Sequence, residues 1–161
     1  MLAIQGFRGA QREWFARYQL GDTGLKPVQQ AIDASRGTWA ATKLMPGHRK
    51  AAARALGISD TPQAFEDAFG QIRRVYLWRE DTIAQAVSLW RATQSGIWHG
   101  SDRAKGPERP EYDFQGILKQ WQAIQQWNAD WAEFLDPVTH YAVSYEMLLS
   151  NPASEIARIM G

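Results

Sequence analysis

The 161-residue chain is 45% apolar, enough for one domain with a core and too short for two ordinary ones. Its 18 Lys and Arg against 17 Asp and Glu leave a formal charge of +1, which gives no electrostatic case for nucleic acid or an anionic membrane. The absence of cysteine excludes a disulfide framework and thiolate metal sites, and no apolar run approaches the ~20 residues of a membrane helix, so a cytoplasmic protein without membrane insertion is expected.

Charge is unevenly placed along the chain. Between Met1 and Leu56, nine Lys and Arg side chains stand against Glu13, Asp22 and Asp33, a region suited to an anionic ligand or simply a solvated basic face. Arg12 to Leu20 reads as a helix, and Pro27 sits near the start of another that runs through Ala34 and ends by Gly37. Thr38 to Leu44 (TWAATKL) reads as a strand. Pro46 then opens a basic helix to Leu56, closed by Gly57, and Thr61 caps a helix from Pro62 to Phe69 that stops at Gly70.

Arg74 to Trp78 follows as a short apolar strand, expected to be buried, and Asp81 is a good N-cap for a helix from Thr82 to Trp98. Arg79 therefore stands at the carboxyl end of a strand. In open parallel sheets the ligand crevice lies outside those strand ends, where a helix N-terminus favours anions. On the helix, Ile83, Ala86, Val87, Leu89, Trp90 and Ile97 form an apolar arc, with Ser88 on the polar arc two turns above Arg79. Arg79 and Ser88 could bind one phosphate between them. Arg79 also reads as half of a strand-end ion pair, and Ser88 as a solvated serine.

His99 to Pro110 is rich in Gly, Pro and charge and reads as a surface loop. From Tyr112 to Leu135 a long helix carries Phe114, Ile117, Leu118, Trp121, Ile124, Trp127, Trp131 and Leu135 at helical spacing, mostly as core. His140 to Ser144 reads as a third strand, followed by Tyr145 to Leu149 and a helix after Asn151-Pro152. Three short strands separated by helices, with no hairpin turn, predict an α/β fold with a parallel sheet. His48, His99 and His140 lack metal-ligand spacing, so no metal is expected.

The run YLWREDTIAQAVSLWRATQSGIWH resembles the strand–helix signature of the bacterial carbohydrate sulfotransferases typified by trehalose 2-sulfotransferase, close to (R)xD(K)(V)xQAVSxWxAxQTGxW. Arg79, Asp81, Gln85, Ala86, Val87, Ser88, Trp90, Ala92, Gln94, Gly96 and Trp98 match. GAQREWF resembles the family's GxPxEYF element, TKLM its GxKLM strand, and YDFQGI and VSYEML its YDFxxI and YExL elements. The similarity spans nearly the whole chain.

That resemblance implies a P-loop-like, three-layer α/β domain over residues 1–161, using 3′-phosphoadenosine 5′-phosphosulfate (PAPS) to sulfate a carbohydrate hydroxyl, such as that of trehalose or a glycolipid. It implies that Arg79 and Ser88 bind the donor's 3′-phosphate and that Glu13 is the general base, although Glu13 alone also reads as a helix residue pairing with Arg17. Trp14, Phe15 and Trp98 flank the motifs and are candidates for packing against sugar rings, with core packing the alternative. Lys43, at a predicted strand end, could reach the same crevice or lie at the surface.

The family's first strand and its Ser/Thr/Gly-rich 5′-phosphosulfate loop should precede the GxPxEYF element, where only eight residues stand before Gly9. The expectation is a sulfotransferase domain shortened at the N-terminus, and at the C-terminus as well. Two function classes stay open: a PAPS-dependent sulfotransferase or a piece of one, and an inactive relative acting as a weak nucleotide-binding or protein-interaction module. An exposed sheet edge in so shortened a domain would admit a homodimer.

Overall fold

A computed structural model of the chain describes residues 42–98, 103, 106, 107 and 109–160. Packing divides the chain into two compact units, Met1–Ile72 and Arg73–Gly161. The predicted helices before Gly37 lie outside the described residues.

In the first unit, α1 (Pro46–Leu56) and α2 (Pro62–Phe69) have the predicted bounds. Each begins with a proline in the first turn, where no backbone N–H is missed. Gly57 takes φ +67° after α1, and the N–H groups of Gly57 and Ile58 return to the Arg54 and Ala53 carbonyls. The Thr61 hydroxyl accepts the Ala64 N–H at 3.3 Å to cap α2. Buried Arg49 is paired with Asp60, with Nε to Oδ1 at 3.0 Å. The predicted strand from Thr38 is corrected where it can be seen. Thr42 to Met45 carries no ladder, although Met45 is extended (φ −85°, ψ 159°) as a residue before proline must be. Extended backbone becomes a strand only when a partner strand is present to bond it.

The second unit opens with β1 (Val75–Trp78), followed by α3 (Thr82–Ser95), α4 (Phe114–Leu135), β2 (Tyr141–Ser144), α5 (Tyr145–Ser150) and α6 (Pro152–Met160). β1 and β2 pair in parallel, with Val75 opposite Tyr141 and Trp78 opposite Ser144, as crossover connections require. Among the described residues the chain is thus a mostly helical α/β arrangement with a two-stranded parallel sheet. α3 ends at Ser95, short of the predicted Trp98, because Gly96 enters the left-handed region at φ +71° and its N–H caps the Ala92 carbonyl.

α3 and α4 pack side by side. Ala86 is fully buried on α3, and Ile124 and Leu135 are buried on α4. Trp121 Nε1 and Gln125 Nε2 both donate to the Thr82 hydroxyl, at 3.1 and 3.2 Å, which fixes the register of the two helices. Near their other ends, Gln94 exchanges two bonds with the Glu111 backbone and Trp90 Nε1 donates to the Glu111 carbonyl. The expectation that the long helix is mostly core needs correction, since of its named apolar positions Ile124 and Leu135 are buried, Ile117, Leu118, Trp127 and Trp131 are half-buried, and Phe114 and Trp121 are exposed.

β1 needs the same correction. Val75, Leu77 and Trp78 are 46%, 54% and 38% exposed, because β2 is the only described strand beside it. An apolar run specifies a surface that prefers burial, and supplies no neighbour to bury it.

α6 is tied back onto the sheet by side chains. The Tyr141 hydroxyl donates to Glu155 at 2.5 Å, Arg158 pairs with Glu155 and lies over the Tyr141 ring, and Arg73 donates to the Met160 carbonyl. The carboxylate acceptor raises the Tyr141 phenol above its ordinary pKa. Fully buried Ser144 ends β2 and caps α5, its hydroxyl accepting the Met147 N–H at 3.0 Å. Ser144→Ala is expected to cost about 1 kcal/mol, read as a lower urea midpoint at unchanged slope, whereas Ser144→Thr should retain most of the cap.

Candidate functional site

Parallel pairing with Trp78 opposite Ser144 brings the carboxyl ends of both strands to one edge of the sheet. Arg79, Glu80 and Asp81 leave that edge from β1, and Tyr145 and Glu146 leave it from β2. The two segments then bond each other. Glu146 Oε2 accepts the Glu80 N–H at 3.0 Å, while its Oε1 lies 3.8 Å from Arg79 Nε. The second distance is too long for a hydrogen bond, and Arg79 Nε is buried without one, so this contact is Coulombic.

The Arg79 guanidinium also lies over the Tyr145 ring, its Cζ 4.7 Å from the ring centroid. The strand-end ion pair foreseen for Arg79 is therefore present, with Glu146 as partner. The hydrogen bond from the Glu80 N–H, with the backbone N–H groups of Glu146 and Asp81 and the charge of Arg79, holds the Glu146 carboxyl below its ordinary pKa. No described residue accepts a hydrogen bond from the two Nη atoms of Arg79. The guanidinium is thus fixed along its Nε edge and on one face, while its Nη edge keeps donors in the fork geometry that suits a phosphate or sulfate.

The helix end contributes less to anion binding than its position suggests. Asp81 caps α3, Oδ1 accepting the Ala84 N–H at 2.8 Å, so a carboxylate already faces the positive end of the dipole. Among the described residues that leave this edge of the sheet, Arg79 is the cation. Ser88 is exposed on α3 with no hydrogen-bond partner among the described residues, on the same helix face as Asp81 and roughly 10 Å further along the axis. Gln85 lies between them, and its Oε1 is buried with no partner.

Trp98 is 59% exposed, three residues past the end of α3. A helix of 14 residues, about 21 Å long, separates it from Arg79, so the structure does not bring these two candidates together. Glu13, Trp14 and Phe15 lie outside the described residues. Lys43 is exposed in the first unit. No group of metal-ligating side chains occurs among the described residues, and no described helix is long and apolar enough to cross a membrane.

Tyr145 and Glu146 belong to this site although neither was assigned to it from sequence. The available signal was VSYEML itself, a strand running directly into Tyr-Glu, but nothing local indicates that its carboxylate meets Arg79.

The model of the Stf0 sulphotransferase family matches residues 7–161. A trehalose 2-sulfotransferase of Mycobacterium tuberculosis (strain ATCC 35801 / TMC 107 / Erdman) is 29% identical over 91 residues, 53% of this chain and 33% of the relative. The match thus spans about a third of that relative's length. No solved structure matches significantly.

Proposed function

The chain belongs to the Stf0 sulphotransferase family, and on that premise we propose that it carries the 3′-phosphate-binding part of a P-loop-like sulfotransferase domain acting from PAPS on a carbohydrate hydroxyl. The observation that supports this reading is Arg79 at the carboxyl end of β1, held by Glu146 and Tyr145, with no described residue accepting a hydrogen bond from its Nη atoms. A terminal phosphate fits that edge through two charge-assisted bonds, and the exposed Ser88 hydroxyl offers a neutral one. PAPS supplies the transferable sulfuryl group when bound.

The remaining roles belong to the chain's own residues. Glu13 takes the acceptor hydroxyl's proton, and Trp14, Phe15 and Trp98 offer ring faces to a sugar or glycolipid. Trehalose enters as an acceptor through the Mycobacterium tuberculosis relative's name alone.

Calorimetry of the full chain with adenosine 3′,5′-bisphosphate tests this reading. Arg79→Ala is expected to weaken binding ~10- to 100-fold, as loss of a charge-assisted phosphate contact does. Equal affinity of the two proteins, or no binding by either, would sink the assignment of Arg79 to the donor.

A further inference from the structure

We infer that Tyr145 and Glu146 are positioning residues for Arg79, and that together they set the guanidinium so that its Nη edge forms the anion-recognising surface. The inference rests on the phosphate-binding reading of Arg79 and extends it to two residues from a different strand end.

An arginine side chain gives up rotamer freedom when it is fixed at a strand end, so a productive orientation needs holding from more than one side. Here the holding comes from two directions at right chemistry. The Tyr145 ring presents its negative face to the flat of the guanidinium, with Cζ 4.7 Å from the centroid. The Glu146 carboxylate faces Nε, 3.8 Å away, and so draws the Nε edge rather than the Nη edge toward the protein. A bidentate pair through Nη would have used the donors a phosphate needs.

Glu146 is itself held. Its other oxygen accepts the Glu80 N–H at 3.0 Å, so the carboxylate is anchored to the backbone immediately after Arg79. The same side chain therefore sets the path of the chain leaving β1 and the direction of the side chain one residue earlier. Tyr145 and Glu146 are adjacent and begin α5 directly after β2, which the parallel ladder registers against β1. Sheet pairing, strand-end backbone and guanidinium orientation are thus linked through one dipeptide.

Two measurements on the 161-residue chain separate this inference from the reading beneath it. The first needs no ligand and follows the Arg79 Nε–Hε group by ¹⁵N relaxation. Wild type is expected to show an order parameter near the rigid range of ~0.85, falling toward ~0.6 in Tyr145→Leu and in Glu146→Ala. Tyr145→Phe keeps the ring face and should remain rigid. Should Glu146→Ala fail to fold, Glu146→Gln removes the charge while retaining an acceptor for the Glu80 N–H, and should show a partial fall. An unchanged order parameter in Tyr145→Leu and in the Glu146 variant overturns the inference.

The second compares adenosine 3′,5′-bisphosphate with adenosine 5′-monophosphate by calorimetry. Tyr145→Leu and Glu146→Gln should lower the preference for the bisphosphate ~5- to 10-fold with little effect on the monophosphate, and Tyr145→Phe should restore it. In the Arg79→Ala background the same changes should have no further effect on that preference. A preference lost in Arg79→Ala but intact in Tyr145→Leu and Glu146→Gln overturns the positioning role alone. A preference unaffected by Arg79→Ala overturns the phosphate reading, leaving the relaxation measurement to decide whether the dipeptide orders the guanidinium.

Discussion

Ile124→Ala is expected to destabilise the protein by about 2–5 kcal/mol, read as a fall in the urea midpoint with the slope unchanged. Ile124 is 1% exposed on α4, the helix that packs along α3, where Ala86 is fully buried. Truncation removes apolar area that water does not reach and leaves a cavity beside α4, whose register against α3 is already fixed by Trp121, Gln125 and Thr82. Helices tied in that way collapse little into the space, which places the cost well above that of the lost transfer energy alone. Ile83 supplies the control. At 66% exposed it makes little of the core, and Ile83→Ala should stay within about 0.5 kcal/mol of wild type. Equal effects at the two positions would mean that α3 and α4 do not pack as described.

Gly116→Val should be nearly as costly, at about 3 kcal/mol, for the opposite reason. A Cβ at Gly116 would lie 2.5 Å from Trp90 Cη2 and within 2.7 Å of two further ring carbons. The indole is not free to withdraw, because its Nε1 donates to the Glu111 carbonyl at 3.1 Å. Helix propensity alone argues the other way, since glycine inside a helix is worse than alanine by roughly 0.5–1 kcal/mol. The sign therefore identifies the dominant effect. Gly116→Ala should destabilise despite its better propensity, and Trp90→Phe should partly rescue it by removing the ring atoms in the way. A stabilised Gly116→Ala protein would show that the indole is not held there.

The site was legible in sequence to a limited depth. Arg79 at a strand end beside a capped helix is a local pattern, and the strand, the cap and the Arg all stand where that pattern places them. The family resemblance agrees with the match of the Stf0 sulphotransferase family over residues 7–161. What local pattern left open was whether Arg79 is an ion-pair partner or an anion ligand. Those alternatives need not compete, because Glu146 faces Nε and no described residue accepts a hydrogen bond from the Nη atoms. At the helix end, the Asp81 carboxylate that makes the cap also counters the dipole's pull on an anion.

The sequence by itself determined where the elements stop and start. Pro46 and Gly57 bound α1, Thr61 and Gly70 bound α2, and Asp81 starts α3, because a cap depends on backbone bonds within four or five residues of itself. Gly96 belongs to the same class of signal, and stops α3 three residues before its apolar pattern ends. Only the tertiary structure decided which apolar faces are covered and what Arg79 meets. The Glu80–Glu146 bond joins residues 66 positions apart, and the partner that would have made Thr42 to Leu44 a strand is likewise a matter of distant neighbours. Propensity and capping are read along the chain, whereas burial, pairing and the direction of a charged side chain depend on what the fold brings alongside.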